Sequence, residues 1–275
     1  QPPPTQEEVA FTIFGDATTD RLALTMSDLK SDKYVQVTNL QYNRSSDSAY
    51  NLTGVSIRSI LEEESLLTDE ALFYTVIASD GHNAQEAAEY YLNITKIMEA
   101  DYDEAILAYG GEDFDVEGDG PIRSILNITL DEYGDYFGKY WMKQCNKMEI
   151  IKPHMTLSGD GLTRDLKLNI WQLIKDYTTF TNLQYNRSSD SAYNLTGVSI
   201  RSILEDESLL SDRATFYSFI ASDGYDAQDA AEYYLNITKI MEADYDEAIF
   251  AYGGEDFDVE GDGPIRAVLN ITLDE

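Results

Sequence analysis

Thr38–Glu132 and Thr181–Glu275 are one sequence written twice, and at an offset of 143 only twelve of the 95 aligned positions differ. Most changes are mild, such as Glu63 to Asp206 and Ile125 to Val268. The segments ahead of them, Val9–Val37 and His154–Phe180, share pattern rather than identity. Such a chain has to fold as two beads of one architecture, which sets the expected domains at 1–153 and 154–275. The period is far longer than a solenoid turn. Copies this alike imply recent duplication or homogenisation, and repeating one building block is the commoner use of such a sequence.

Within each bead the reading is α+β, mainly strands with short helices between them. Phe11–Gly15 alternates like a strand ending in a turn, and Tyr34–Thr38 is a second strand. Gly54–Leu61 opens a helix with apolar residues at helical spacing, ending near Leu67. Phe73–Ala78 is a strand followed by the turn Ser79-Asp80-Gly81. Ala84–Tyr91 reads as a short helix. Asp101, three residues before Glu104, caps a helix over Ala105–Tyr109 that Gly110-Gly111 closes. Ile122–Ile128 returns to strand.

The charge is unusual: 51 Asp and Glu face 19 Lys and Arg, a net −32. Such a field repels nucleic acid and anionic membranes. It suits solubility, an ion-rich milieu or a surface that collects cations. No run reaches the ~18 apolar residues of a membrane helix. The polar, Pro-rich opening Gln1–Glu8 reads as a trimmed mature N-terminus, any signal peptide having been removed. Cys145 is the one cysteine, which rules out an internal disulfide framework and a multi-cysteine metal site. It is a buried thiol, an intermolecular disulfide or a lone reactive group.

The order of these pieces resembles the molybdopterin-binding domain of the sulfite oxidase family. The likeness runs through Phe11–Gly15, Leu24…Met26-Ser27-Asp28-Leu29, Leu40-Gln41-Tyr42 and Leu52–Leu61. It continues through Ala78-Ser79-Asp80-Gly81, Ala105–Glu112, Gly120-Pro121-Ile122-Arg123 and Tyr136–Trp141, and so covers most of the first copy. The resemblance implies a cysteine thiolate on molybdenum shortly before the Gly54-Val55-Ser56 stretch. Tyr42 stands there, and Tyr185 in the second copy. A phenol is a hard, high-pKa donor and a poor substitute for a soft thiolate. Arg44 and Arg123, with Arg187 and Arg266, could still grip a phosphate by analogy. These six residues therefore read as a vestigial cofactor site on a retained fold, with no catalytic residue and no bound cofactor.

Asn-X-Ser/Thr sequons stand at Asn43, Asn51, Asn93 and Asn127, and again at Asn186, Asn194, Asn236 and Asn270. Four independent sequons per bead suggest a secreted glycoprotein, although Asn93 and Asn127 also read as strand residues without sugar. Asp113, Asp115, Glu117 and Asp119, like Asp256, Asp258, Glu260 and Asp262, place acids at alternate positions. The twelfth position of an EF-hand is Ser124 or Ala267 rather than Glu, which leaves weak calcium binding or a solvated turn. His82 becomes Tyr225 in the second copy, so no histidine-based centre is shared by the two. Most of the twenty tyrosines fall at core or interface spacing.

Together these features read as a secreted structural glycoprotein that assembles with copies of itself into a cell-envelope layer, sheath or filament. In this they resemble archaeal, particularly methanogen, surface proteins. The alternative is an extracytoplasmic molybdopterin oxidoreductase with an unusual ligand; a cofactor-free binding module is a third reading. The first copy continues past Glu132 through Tyr133–Pro153, whereas the second stops at Glu275. The expectation is that a strand from a neighbouring molecule completes the second bead.

Overall fold

The computed structural model describes residues 7–45, 48–81, 92–126, 141–188, 191–220, 235–258 and 265–269. The chain divides into two compact units, Gln1–Pro153 and His154–Glu275. Both are mixed and mainly β.

Unit one begins with β1 (Val9–Phe14), β2 (Leu22–Thr25) and α1 (Met26–Leu29), followed by β3 (Gln36–Ser45), β4 (Ser48–Ser56) and α2 (Ile57–Glu63). Then come β5 (Phe73–Ala78), β6 (Leu92–Asn93), α3 (Ile94–Glu99), β7 (Ala105–Gly110), α4 (Val116–Asp119), β8 (Arg123–Leu126) and β9 (Cys145–Ile151). They form a five-stranded sheet, β2-β1-β9-β5-β6, and a four-stranded one, β3-β4-β7-β8. β9 lies at the centre of the first, parallel to β1 and antiparallel to β5. The four-stranded sheet is antiparallel throughout.

Local chemistry fixes the short helices. Thr25 caps α1 in a reciprocal box with Asp28, so two orphan N–H groups are satisfied at once. Ser56 ends β4 and caps α2 by accepting from Ser59 N at 3.3 Å. The helix expected from Gly54 therefore starts three residues later, because Gly54-Val55-Ser56 are still paired with β7.

A larger correction concerns Ala105–Tyr109, which is strand β7 and not a helix. Asp101 and Glu104 do form a tight turn, with Asp101 N donating to Glu104 Oε2 at 2.9 Å, but the chain leaves it extended. β7 runs between β4 and β8 with both faces buried. Ala105 and Leu107 face the main core with Phe11, Ile60 and Val76, while Ile106 and Ala108 join Tyr42, Leu52 and Trp141 on the opposite side. A strand covered on both faces reads as a continuous apolar run, and five residues do not separate that from helix.

Unit two repeats the four-stranded sheet as β12 (Thr179–Ser188), β13 (Ser191–Ser199), β16 (Ala248–Gly253) and β17 (Arg266–Leu269). Its remaining elements are β10 (Met155–Leu157), β11 (Leu166–Leu168), α5 (Ile170–Asp176), α6 (Ile200–Asp206), β14 (Phe216–Tyr217), β15 (Leu235–Asn236) and α7 (Ile237–Glu242). Here β10-β11 and β14-β15 are two separate two-stranded sheets.

Candidate functional site

Tyr42 projects from β3 into the outer face of the four-stranded sheet and is 1% exposed. Its hydroxyl donates to the Asp103 carbonyl at 2.6 Å. Burial, with the Asp103 charge as a lesser cause, pushes the phenol well above its ordinary pKa. Trp141 meets the ring edge-on, with centroids 6.4 Å apart and planes at 86°. Tyr50 meets the same indole at 5.9 Å.

Beside these rings lies the guanidinium of Arg123, 5.2 Å from the Trp141 ring centroid and 5.7 Å from that of Tyr50. Arg123 Nη1 is 2.9 Å from Asp119 Oδ1, and Lys143 Nζ reaches the same oxygen at 3.1 Å. β8 and the single turn of α4 set this geometry by presenting Arg123 and Asp119 four residues apart. The sequence reading singled out Tyr42 and Arg123 but missed their companions Tyr50, Asp119 and Lys143, because Asp119 reads as one more member of an acidic run.

Unit two holds the same tyrosine. Tyr185 donates to the Asp246 carbonyl at 2.6 Å, and burial again raises its pKa. Arg266 lies 5.7 Å from the Tyr193 ring centroid and is half-buried. Arg44 and Arg187 fall on β3 and β12; their side chains lie outside the described residues.

Among the described residues, Tyr42 and Arg123 do not offer what a molybdopterin would need at this position. The expected soft ligand is a buried phenol whose proton is committed to a carbonyl. Among the described side chains, Arg123 is paired with Asp119. Cys145 supplies no alternative ligand, since it sits at the centre of the other sheet, fully buried, opposite Ala78. Burial pushes its thiol up to about 12.

No family model and no curated protein matches the chain. Among solved structures, the sulfane dehydrogenase SoxCD from Paracoccus pantotrophus is similar at 15% identity, with a TM-score of 0.37. The match covers 54% of this chain and 39% of that one.

The acidic stretch read as either a weak calcium site or a solvated turn is divided among other tasks. Asp113 Oδ2 accepts from Asn51 N at 2.7 Å, and Asp256 does the same for Asn194. Asp115 caps α4, accepting from Glu117 N at 3.1 Å, and Asp119 is the buried partner of Arg123. The alternating acids thus enter a one-turn helix with side chains aimed at different partners. Asp258 is exposed; Glu260 and Asp262 lie outside the described residues.

The sequons are similarly spread. Asn43 and Asn236 are exposed, while Asn51, Asn93 and Asn194 are half-buried. Asn93 and Asn236 end their strands and cap α3 and α7, accepting from Thr95 N at 2.8 Å and Thr238 N at 2.9 Å. The amide oxygen makes the cap, so Nδ2, the atom a sugar would take, is not the one consumed. Asn127, Asn270 and the side chain of Asn186 lie outside the described residues, as do His82 and Tyr133–Tyr140.

Proposed function

We propose that this chain is a secreted structural glycoprotein whose two beads are building blocks of a cell-envelope layer, sheath or filament, assembled from copies of itself. The observation that carries the reading is the filled core at Tyr42. By the sequence resemblance, the position of the family's metal ligand is taken by a phenol that donates to a carbonyl, with two further aromatic rings and an ion-paired guanidinium beside it. The same tyrosine with the same hydrogen bond recurs in unit two. Selection for packing accounts for that recurrence without redox chemistry. Sequons reached by solvent in both copies and a net charge of −32 suit an extracellular surface. The likeness to archaeal surface proteins stands on the sequence pattern alone.

The decisive experiment uses native material. Elemental and pterin analysis, with peptide mass spectrometry of the sequons, is expected to give no stoichiometric molybdenum and sugar on at least one asparagine per copy. Stoichiometric molybdenum would replace this reading with the molybdopterin oxidoreductase. Bare asparagines throughout would remove its extracellular half.

A further inference from the structure

Each unit opens on a two-stranded ladder that leads into a short helix, and the two helices are fastened by different chemistry. α1 carries the reciprocal Thr25/Asp28 box, and its Ser27 N donates to Glu7 Oε1 at 3.0 Å. α5 carries the same kind of box, with Gln172 N donating to Asn169 Oδ1 at 3.0 Å and Asn169 N to Gln172 Oε1 at 2.9 Å. Its further amide, Ile170 N, donates to His154 Nδ1 at 3.1 Å. Glu7 stands two residues ahead of β1, and His154 directly ahead of β10. In both units, then, one first-turn amide is held from the segment before the opening strand. The acceptor is a carboxylate in unit one and an imidazole in unit two.

These two acceptors answer to different pH. Nδ1 accepts only in the neutral tautomer that carries its proton on Nε2, whereas an imidazolium has two donors and no acceptor. An imidazole ordinarily takes up that second proton between about pH 5 and 8, and a carboxylate in general only near about pH 4. Protonation of His154 would set two N–H groups against each other, its own Nδ1–H and that of Ile170. It would also place a positive charge at the first turn of a helix, where the amides already carry partial positive charge.

His154 sits where letting go has a mechanical consequence. Met155 pairs with Leu168 as the last rung of the β10–β11 ladder before the chain enters Asn169 and α5. The His154–Ile170 bond lies just beyond that rung and ties the head of β10 to the head of α5. Leu166, Leu168 and Leu173 anchor this segment in the core of unit two. α5 has seven residues, too few to persist as a helix without its cap and that packing. The charged groups on the surrounding elements are Arg164 and Asp165 at the far end of the ladder, Lys167 opposite Thr156, and Lys175 and Asp176 in the last turn of α5. All five are exposed, and Arg164 is paired with Glu207. The chain's other histidine, His82, belongs to unit one.

We infer that His154 is an acid-released latch on unit two. As a neutral imidazole it fastens α5 to the head of β10; on taking up a proton it lets go, and residues 154–176 loosen. α1 of unit one, held by Glu7, keeps its fastening over the same range. The stability that the His154 bond contributes is present above the ordinary imidazole range and is lost as pH falls through it. Two beads of one architecture thus respond differently to mild acid.

The test follows amide exchange of the intact 275-residue chain by mass spectrometry at about pH 7.5 and about pH 5.5, corrected for intrinsic exchange. Protection of residues 155–157 and 166–176 is expected to fall about fivefold at the lower pH, as for the loss of one helix-cap acceptor. Residues 9–14 and 22–29 should not change. His154→Gln supplies an amide oxygen that does not titrate, and should show the same protection at both values. His154→Ala should show the loss at both. Far-ultraviolet circular dichroism verifies that each variant is folded, and the wild-type comparison carries the test should one fail to fold. Equal protection of the wild type at the two pH values overturns the latch. So does an equal fall in His154→Gln, which would assign the change to carboxylates, or a parallel fall in unit one. None of these outcomes depends on molybdenum or sugar, so the latch and the structural-glycoprotein reading stand or fall separately.

Discussion

Asp119 and Arg123 form an ion pair of 2.9 Å in which each residue is only 2% exposed. A pair so sealed is strongly held together yet contributes little net stability, because desolvation of both charges opposes their attraction. Removing one partner is a different matter. Asp119→Asn removes the buried carboxylate that both the Arg123 guanidinium and the Lys143 ammonium approach, and is expected to cost about 3–5 kcal/mol. The double variant Asp119→Leu/Arg123→Met should recover most of that loss. Urea unfolding monitored by tryptophan fluorescence, in a Trp171→Phe background so that Trp141 alone reports, distinguishes the two; equal losses would mean that the pair is not the unit of stability.

Tyr42→Phe and Tyr185→Phe each remove one hydroxyl from the carbonyl of a half-buried aspartate, and the two bonds have the same length, 2.6 Å. Each should cost about 1 kcal/mol, and because they sit in different units the costs should add. Denaturation midpoints of the single and double variants check this. A gain in stability on losing the hydroxyl would show that the phenol is strained in place and retained for another reason.

Cys145 gives a pH dependence with a defined sign. Its folded pKa is raised to about 12 from an ordinary 9.0, chiefly by burial. The fold thus favours the neutral thiol, and that stabilisation is fully present below pH 9. It is lost as pH rises through the window from about 9 to about 12, where an unfolded chain ionises and the folded one does not. At pH 8 the folded chain should resist thiol reagents, reacting only after denaturant is added. Rapid labelling of the native protein would place the thiol at the surface.

Asn93 combines a sequon with a helix cap, and three variants separate the two roles. Asn93→Asp and Thr95→Ala abolish the sequon but keep an acceptor for the Thr95 amide, whereas Asn93→Ala abolishes both. Only the last should lose about 1 kcal/mol in a denaturation series. Equal losses in all three would assign the stability to the sugar, and Asn236 offers the same comparison in unit two.

The legible parts of the fold were those where pattern and environment agree. Phe73–Ala78 reads as a strand and is β5 without adjustment. Ala105–Tyr109 misreads as a helix because burial of both faces erases the alternation that marks a strand, and a genuine Asp101–Glu104 turn ahead of it imitates a cap. The candidate site was half legible. A tyrosine at a position where the resembled family needs a thiolate is visible in a sequence. The partner that neutralises Arg123 is not, because Asp119 reads as one more member of an acidic run. Sheet order is the hardest to read: nothing in Cys145–Ile151 announces that it lies between strands 135 and 72 residues upstream, as the pairs Thr12↔Lys147 (147 − 12) and Val76↔Met148 (148 − 76) show.

That separation governs how unit one is born. β1 leaves the ribosome first and its parallel partner comes last, so the five-stranded sheet stays without its middle until residue 151 is made. At about 5–20 residues per second, the 135-residue interval between Thr12 and Lys147 lasts from about 7 to about 27 seconds. Throughout it Phe11 and Ile13, and Val76 once it is made, have no Met148 or Ile150 to close over them. A nascent chain of this protein is an unclosed clasp for nearly the whole of unit one's synthesis, and whatever keeps it from snagging its neighbours on a polysome has to act during that time.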